Sequence, residues 1–201
     1  MRVVSITGGI ASGKSLVLNT FMTLGAYAID CDALSREVVI PCSKAWREIV
    51  NFFGKGILKN DLEIDREKLR GIVFGDSEKL DVLEKIIHPE VRRKCTERVE
   101  AIKKIELAPN ALVVIDVPLL MELGIQKEFD KVIVVYVSEE TQIKRVMERD
   151  GGTEEDAKEL IELQMPLKDK LKFADIVINN EGTREETEKQ VRNMFHALSC
   201  G

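Results

Sequence analysis

Gly8-Gly9-Ile10-Ala11-Ser12-Gly13-Lys14-Ser15 follows the apolar run Val3-Val4-Ser5-Ile6 and opens into Leu16-Val17-Leu18. The order is strand, glycine-rich loop, helix, and every fixed position of the phosphate-binding loop pattern is filled. Gly8 and Gly13 allow turns that a side chain would forbid. The N–H groups of the loop can then point inward at phosphate oxygens, backed by the positive end of the helix that runs from Gly13 to about Leu24. Lys14 supplies a point charge for the β- and γ-phosphates of a nucleoside triphosphate, and Ser15 a hydroxyl for Mg²⁺. A glycine-rich β–α turn without a ligand is the plain alternative.

Working outward, Val17, Phe21 and Leu24 recur at helical spacing until Gly25 stops the helix. Tyr27-Ala28-Ile29 is a second short strand ending at Asp30-Cys31-Asp32, which completes a β–α–β unit. From Ala33 to about Leu107 the pattern is helical. Asp65 and Ser77 are candidate caps, Gly54 and Gly56 mark a turn, and His88-Pro89 is expected to break one helix and start the next. Strands resume at residues 111–115, ending at Asp116, and at 131–137. Ser138 caps a helix running to about Arg149. Gly151-Gly152 breaks it, Thr153 caps another, and Ile176-Val177-Ile178 is the last strand before a capping box at Thr183 and Glu186.

These elements imply an α/β fold whose parallel strands carry ligand loops at their carboxyl ends. Residues 33–109 read as an inserted helical subdomain, with the core formed by 1–32, 110–147 and 173–201 and a lid at 148–172. All lie in one discontinuous domain, which suits 201 residues. The formal net charge of −5 excludes the basic footprint of a nucleic-acid binder. No apolar run approaches a membrane span and no signal peptide is present, so a cytoplasmic protein is expected. Cys31, Cys42, Cys95 and Cys200 show no metal-type spacing and read as free thiols.

Phosphoryl transfer needs a phosphate cradle, a metal, a positioned acceptor and cations for developing charge. Asp30 and Asp32 end the second strand, where alternation puts both on one face, and Asp32 facing the γ-phosphate would orient an acceptor hydroxyl and take its proton. A helix cap is the plain reading of both. Asp116, ending an apolar strand, is placed to reach Mg²⁺ directly or through water. Pro118-Leu119-Leu120 reads as a rigid wall of an acceptor pocket. Arg145 and Arg149 share a helix face, and with Lys168, Lys170 and Lys172 they would give a closing lid its cations. His88 reads as a packing, capping or acceptor-contact residue rather than a base.

The chain also resembles the dephospho-CoA kinase family along essentially its whole length. The family's opening TGGIGSGKS stands here as Thr7 through Ser15, and its D-A-D as Asp30-Cys31-Asp32. The middle pattern falls on Phe74, Leu83 and Ile86-Ile87-His88-Pro89-Glu90-Val91. DvPLLfE stands as Asp116 through Glu122, and the tail pattern as Gln142, Arg145, Arg149, Gln164, Ala174-Asp175 and Asn179 or Asn180. The resemblance implies a P-loop NTPase three-layer sandwich with a five-stranded parallel sheet, an inserted CoA-binding subdomain and a lid. It implies ATP- and Mg²⁺-dependent phosphorylation of the ribose 3′-hydroxyl of dephospho-CoA, with Asp32 as catalytic base and Lys14 and Arg145 assisting. ATP would lie on Gly8, Gly9, Ile10, Ala11, Ser12, Gly13, Lys14, Ser15 and Leu16 with Arg145 and Arg149. The acceptor would lie near Asp32, His88, Pro118, Leu119 and Leu120. A monomer or weak homo-oligomer is expected. Three positions depart from the pattern: Ala11 and Leu16 replace glycine and threonine, and Cys31 replaces alanine. Another small-molecule or nucleoside monophosphate kinase is the nearest alternative; a GTPase is disfavoured because no Asn-Lys-x-Asp motif is present.

Overall fold

The structure is a computed structural model that describes residues 1–200. Along the chain run β1 (Arg2–Gly8), α1 (Lys14–Thr23), β2 (Tyr27–Asp30), α2 (Cys31–Glu37), α3 (Lys44–Phe53), α4 (Arg66–Val73) and α5 (Ser77–Ile105). Then come β3 (Leu112–Asp116), β4 (Lys131–Tyr136), α6 (Glu139–Asp150), α7 (Glu154–Glu162), α8 (Leu167–Lys170), β5 (Ile176–Asn179) and α9 (Arg184–Cys200). Two compact units result: Met1–Asp30 with the chain from Ile102 on, and Cys31–Ala101.

The first unit is built on a five-stranded sheet of order β2-β3-β1-β4-β5. Every neighbouring pair is parallel. Parallel strands covered on both faces are apolar almost throughout, and β1, β3 and β4 meet that requirement. One face carries Val4, Ile6, Leu112, Val114, Ile133, Val135 and Ile178 against Val17 and Phe21 of α1 and Val191 and Leu198 of α9. The caps read from the sequence form. Ser138 accepts the Thr141 N–H, Thr153 and Asp156 make a reciprocal box, and so do Thr183 and Glu186.

The second unit packs Ile49, Ile57, Ile64 and Leu69 together with Trp46, Leu83, Ile86 and Ile87. Asp65 caps α4 as expected, by accepting the Lys68 N–H at 3.1 Å. Three expectations need correction. The cap preceding α5 is Asp76, whose carboxylate accepts the Lys79 N–H at 3.1 Å, rather than Ser77. His88-Pro89 does not separate two helices: α5 runs through both. An internal proline lacks one N–H and crowds the carbonyl four residues back, at a cost of about 3 kcal/mol. Packing on both sides of the proline carries the helix through, with Ile86 and Ile87 on the core before it and buried Glu90 after it, held by Lys44 at 2.8 Å and Arg93 at 3.0 Å. Thirdly, extended chain ends at Asp30, because α2 starts at Cys31. The alternation that would have put Asp30 and Asp32 on one face, with Cys31 opposite, therefore does not apply.

Among the described residues, no helix is long and apolar enough to cross a membrane. Cys31, Cys42 and Cys95 take part in no disulfide; the side chain of Cys200 lies outside the described residues.

Candidate active site

The loop Gly8–Ser15 leaves the central strand β1 and turns through a Ser12 N–H to Gly9 carbonyl bond of 3.2 Å. Gly8 has no room for a side chain, since a Cβ there would lie 2.7 Å from the Val135 carbonyl oxygen. Gly13, at φ 89°, turns the chain into α1 from a left-handed conformation, which glycine adopts without steric cost. Ala11 takes φ 56°, so this departure from the family's glycine places a methyl at a strained position. No side chain caps α1 and no acidic residue stands in its first turn. The positive end of the helix therefore faces no protein carboxylate of its own first turn, a setting that favours an anion. The Lys14 ammonium reaches back over the loop to within 3.5 Å of the Gly8 and Gly9 carbonyls. Ser15 is exposed at the helix start and Leu16 half-buried. The buried Ser12 hydroxyl has no hydrogen-bond partner among the described residues, a polar atom in the cradle that a ligand would satisfy.

Three side chains from downstream elements hold the outer side of the loop. Gln142 donates to the Ile10 carbonyl at 2.8 Å, Arg145 to the Ala11 carbonyl at 3.4 Å, and Asn180 to the Ser12 carbonyl at 2.8 Å. Arg145 also donates to the Asn180 carbonyl at 2.8 Å. The sequence placed Arg145 here. It gave no role to Gln142, Asn180 or Thr187. The available signal was the spacing of Gln142 with Val146, which marks a polar residue on the buried face of α6.

Asp116 ends β3 nearly buried, in register with Ile6 of β1 on one side and Asp30 of β2 on the other. It shares a sheet face with Val114, the face that α1 covers. Beyond it, the Pro118 carbonyl accepts from the Thr7 hydroxyl at 3.2 Å and from the Lys170 ammonium at 3.1 Å. Lys170 is fully buried and pairs with Glu122 at 2.9 Å, and the same Glu122 oxygen accepts the Met165 N–H at 2.9 Å. Burial pushes the Glu122 carboxyl up, but the Lys170 ammonium and the backbone N–H groups of Glu122 and Met165 outweigh it and hold the group below its ordinary range.

Two expected assignments change, those of Lys170 and Leu120. Lys170 is not a cation on a lid surface; a lysine next to Leu167 and Leu171 in a packed turn is drawn inward by its carboxylate partner. Lys172 is exposed and paired with Asp169 at 2.6 Å. Arg149 is exposed and folds onto its neighbour Asp150 at 2.6 Å, which raises its pKa. Leu120 is fully buried in the core, so only half-buried Pro118 and Leu119 offer a wall to an acceptor. In the second unit, Asp32 stands exposed in the first turn of α2 and His88 half-buried in the middle of α5.

Comparison with known proteins agrees with this geometry. The family model described as dephospho-CoA kinase matches residues 2–186. A Geobacillus kaustophilus relative named dephospho-CoA kinase is 48% identical over 188 residues, covering 94% of this chain and 92% of the relative. Among solved structures, one from Thermus thermophilus superposes with a TM-score of 0.82 at 31% identity, covering 98% of this chain and 97% of that one. The dephospho-CoA kinase of Campylobacter jejuni gives 0.67 at 29% identity, covering 100% and 98%. With its phosphate loop on a five-stranded parallel sheet and this agreement from end to end, the chain belongs to the dephospho-CoA kinase family, the kinases of the last step of coenzyme A biosynthesis.

Proposed function

We propose that this protein transfers the γ-phosphoryl group of ATP to the ribose 3′-hydroxyl of dephospho-CoA, giving CoA and ADP. The observation that carries the reading is the uncapped loop at Gly8–Ser15, with Lys14 folded over it and an orphaned hydroxyl within it. The 3′-oxygen attacks the γ-phosphorus, the bond from that phosphorus to the bridging oxygen breaks, and ADP leaves with the electron pair. Asp32 takes the hydroxyl proton. Lys14 and the loop N–H groups hold the β- and γ-phosphates, and Arg145, already against the loop, meets charge that spreads onto the transferred group. Arg149 joins the nucleotide by exchanging Asp150 for phosphate.

Mg²⁺ fits the donors present. Ser15 and Asp116 are hard oxygen ligands, and Asp30 stands in register beside Asp116. Among the described residues no group of three or more His, Cys, Asp or Glu would hold a metal alone. Such a site suits a cation that arrives with substrate phosphates and keeps its waters. When bound, it neutralises developing phosphate charge.

We assign acceptor recognition to residues 33–109, with Asp32 and His88, and to Pro118 and Leu119. Closure falls to residues 148–172, with the break at Gly151-Gly152 between α6 and α7 as its hinge. A cytoplasmic protein, monomeric or weakly self-associating and without a nucleic-acid partner, completes the reading.

The test is ADP release from ATP with dephospho-CoA, AMP, CMP and shikimate in parallel. Dephospho-CoA is expected to be far the best acceptor. Faster turnover with AMP or CMP would move the protein to the nucleoside monophosphate kinases.

A further inference from the structure

The outer rim of the loop holds three consecutive carbonyls, those of Ile10, Ala11 and Ser12, each met by a donor from outside the loop. The two close contacts come from carboxamides that are almost fully buried, Gln142 at 3% and Asn180 at 5% exposure. The Asn180 side chain is itself fixed, because its oxygen accepts the hydroxyl of Thr187 at 2.7 Å and so turns the amide nitrogen toward Ser12. Thr187 is wholly buried on α9, so this orientation is set by the core.

A trans peptide is planar, and its carbonyl and N–H point in opposite directions. Holding the Ile10 carbonyl outward therefore aims the Ala11 N–H inward. Holding the Ser12 carbonyl outward aims the Gly13 N–H inward. The Ser12 N–H lies between them and is committed to Gly9. Gln142 and Asn180 thus govern two of the amide donors that a phosphate in the cradle would use, although neither side chain faces that cradle.

The approach is close enough to dictate sequence in the loop. A Cβ on Gly9 would lie 2.3 Å from the Gln142 amide nitrogen, and one on Gly13 would lie 2.1 Å from that of Asn180. Gly9 has no unusual backbone angle, so space for Gln142 is the reason for glycine there.

We propose that Gln142 and Asn180, with Thr187 behind Asn180, are positioning residues that hold the phosphate loop ready before nucleotide arrives and so set its affinity for the β- and γ-phosphates. The proposal rests on the ATP-binding role assigned above. A loop whose donors are already aimed has less ordering left to do when it binds.

Direct binding of ATP, ADP and AMP to the full chain tests it, by calorimetry with wild type, Gln142→Ala, Asn180→Ala and Thr187→Val. One lost hydrogen bond should weaken ATP and ADP by roughly 3–10-fold in each variant. AMP affinity and the KM for dephospho-CoA should stay at the wild-type values. A residue that only supported the fold would weaken all ligands alike. The melting temperature of each variant reports its folding, and Gln142 and Asn180 lie on different elements, so loss of one variant leaves the other.

A Gly9→Ala, Gln142→Ala pair supplies a second readout. Gly9→Ala acts by displacing Gln142, so the double variant should bind ATP as the Gln142→Ala single does, rather than with the product of two losses. Wild-type ATP affinity in folded Gln142→Ala and Asn180→Ala would overturn the proposal, as would an equal loss for AMP. Failure of wild type to bind ATP would instead remove the kinase reading on which it rests.

Discussion

Asp32 is the residue on which the proposed chemistry turns. As the acceptor's base it should be replaceable by asparagine at little cost to folding, since it is exposed in the first turn of α2. Asp32→Asn is expected to bind ATP normally and to lose about 10²–10⁴-fold in turnover, the usual worth of a positioned base. Steady-state kinetics with dephospho-CoA checks this, and near-normal turnover would take Asp32 out of the role. Lys14→Ala should weaken both ATP binding and rate, because a cation on the transferred phosphates acts in ground and transition states alike. The order of strand, glycine turn and helix around Gly8–Ser15 was legible from the sequence alone, because glycine marks the turn where the apolar strand ends and the helix begins. The relation of Asp30 to Asp32 was not. Alternation assumes an extended chain, and nothing in Asp-Cys-Asp says that a helix begins between them.

At the level of elements, the segment after Asp116 is tied to the turn around α8 by one buried pair. Lys170→Met removes the cation and leaves the Glu122 carboxylate partly buried without it. Breaking a buried pair this way costs several kcal/mol, and here about 2 kcal/mol is expected because Glu122 keeps some contact with water. Urea unfolding measures it, and pairing Lys170→Met with Glu122→Gln should recover part of the loss. The pH dependence follows from the same contact. A carboxylate held below its ordinary range stabilises the fold above its unfolded pKa and loses that contribution as pH falls through its folded pKa. Glu122→Gln should therefore flatten the acid limb of the stability profile and leave the neutral region sloping as before.

The long helix α5 invites a companion experiment. Pro89→Ala restores an N–H and removes a ring from the helix interior, worth about 3 kcal/mol, less about 1 kcal/mol for the freedom the unfolded chain regains. A gain near 2 kcal/mol in urea is expected; a loss would mean that the proline supports packing elsewhere. Caps and glycine stops made most element boundaries readable, since Ser138, Thr153, Asp65 and Thr183 act through neighbours three residues away. The passage of α5 through Pro89 was not readable. It rests on contacts that periodicity does not show, Ile86 and Ile87 packed in the core and Glu90 held by Lys44 far away in sequence.

On the scale of the whole molecule, alternating strands and helices announced a parallel sheet, but not its order. The order β2-β3-β1-β4-β5 depends on which edge each crossover returns to, and apolar strands carry no mark of that. It is this order that puts Asp116 beside the phosphate-loop strand although more than half the chain separates them. The division into Met1–Asp30 with the chain from Ile102 on, and Cys31–Ala101, suggests a division of labour that ligands should reveal one at a time. ATP at a hundred times its Kd should stabilise the fold by about 2.7 kcal/mol. For a chain of this size that is roughly 5–10 °C in Tm. Hydrogen exchange locates the effect. A non-hydrolysable ATP analogue should slow exchange across residues 8–16 and the first turn of α1, where N–H groups meet phosphate. Dephospho-CoA alone should slow it within residues 33–109, where many amides lie on short helices that open readily. Protection by dephospho-CoA confined to the phosphate loop would show that the acceptor is read by the sheet unit, and would remove the helical segment from substrate recognition.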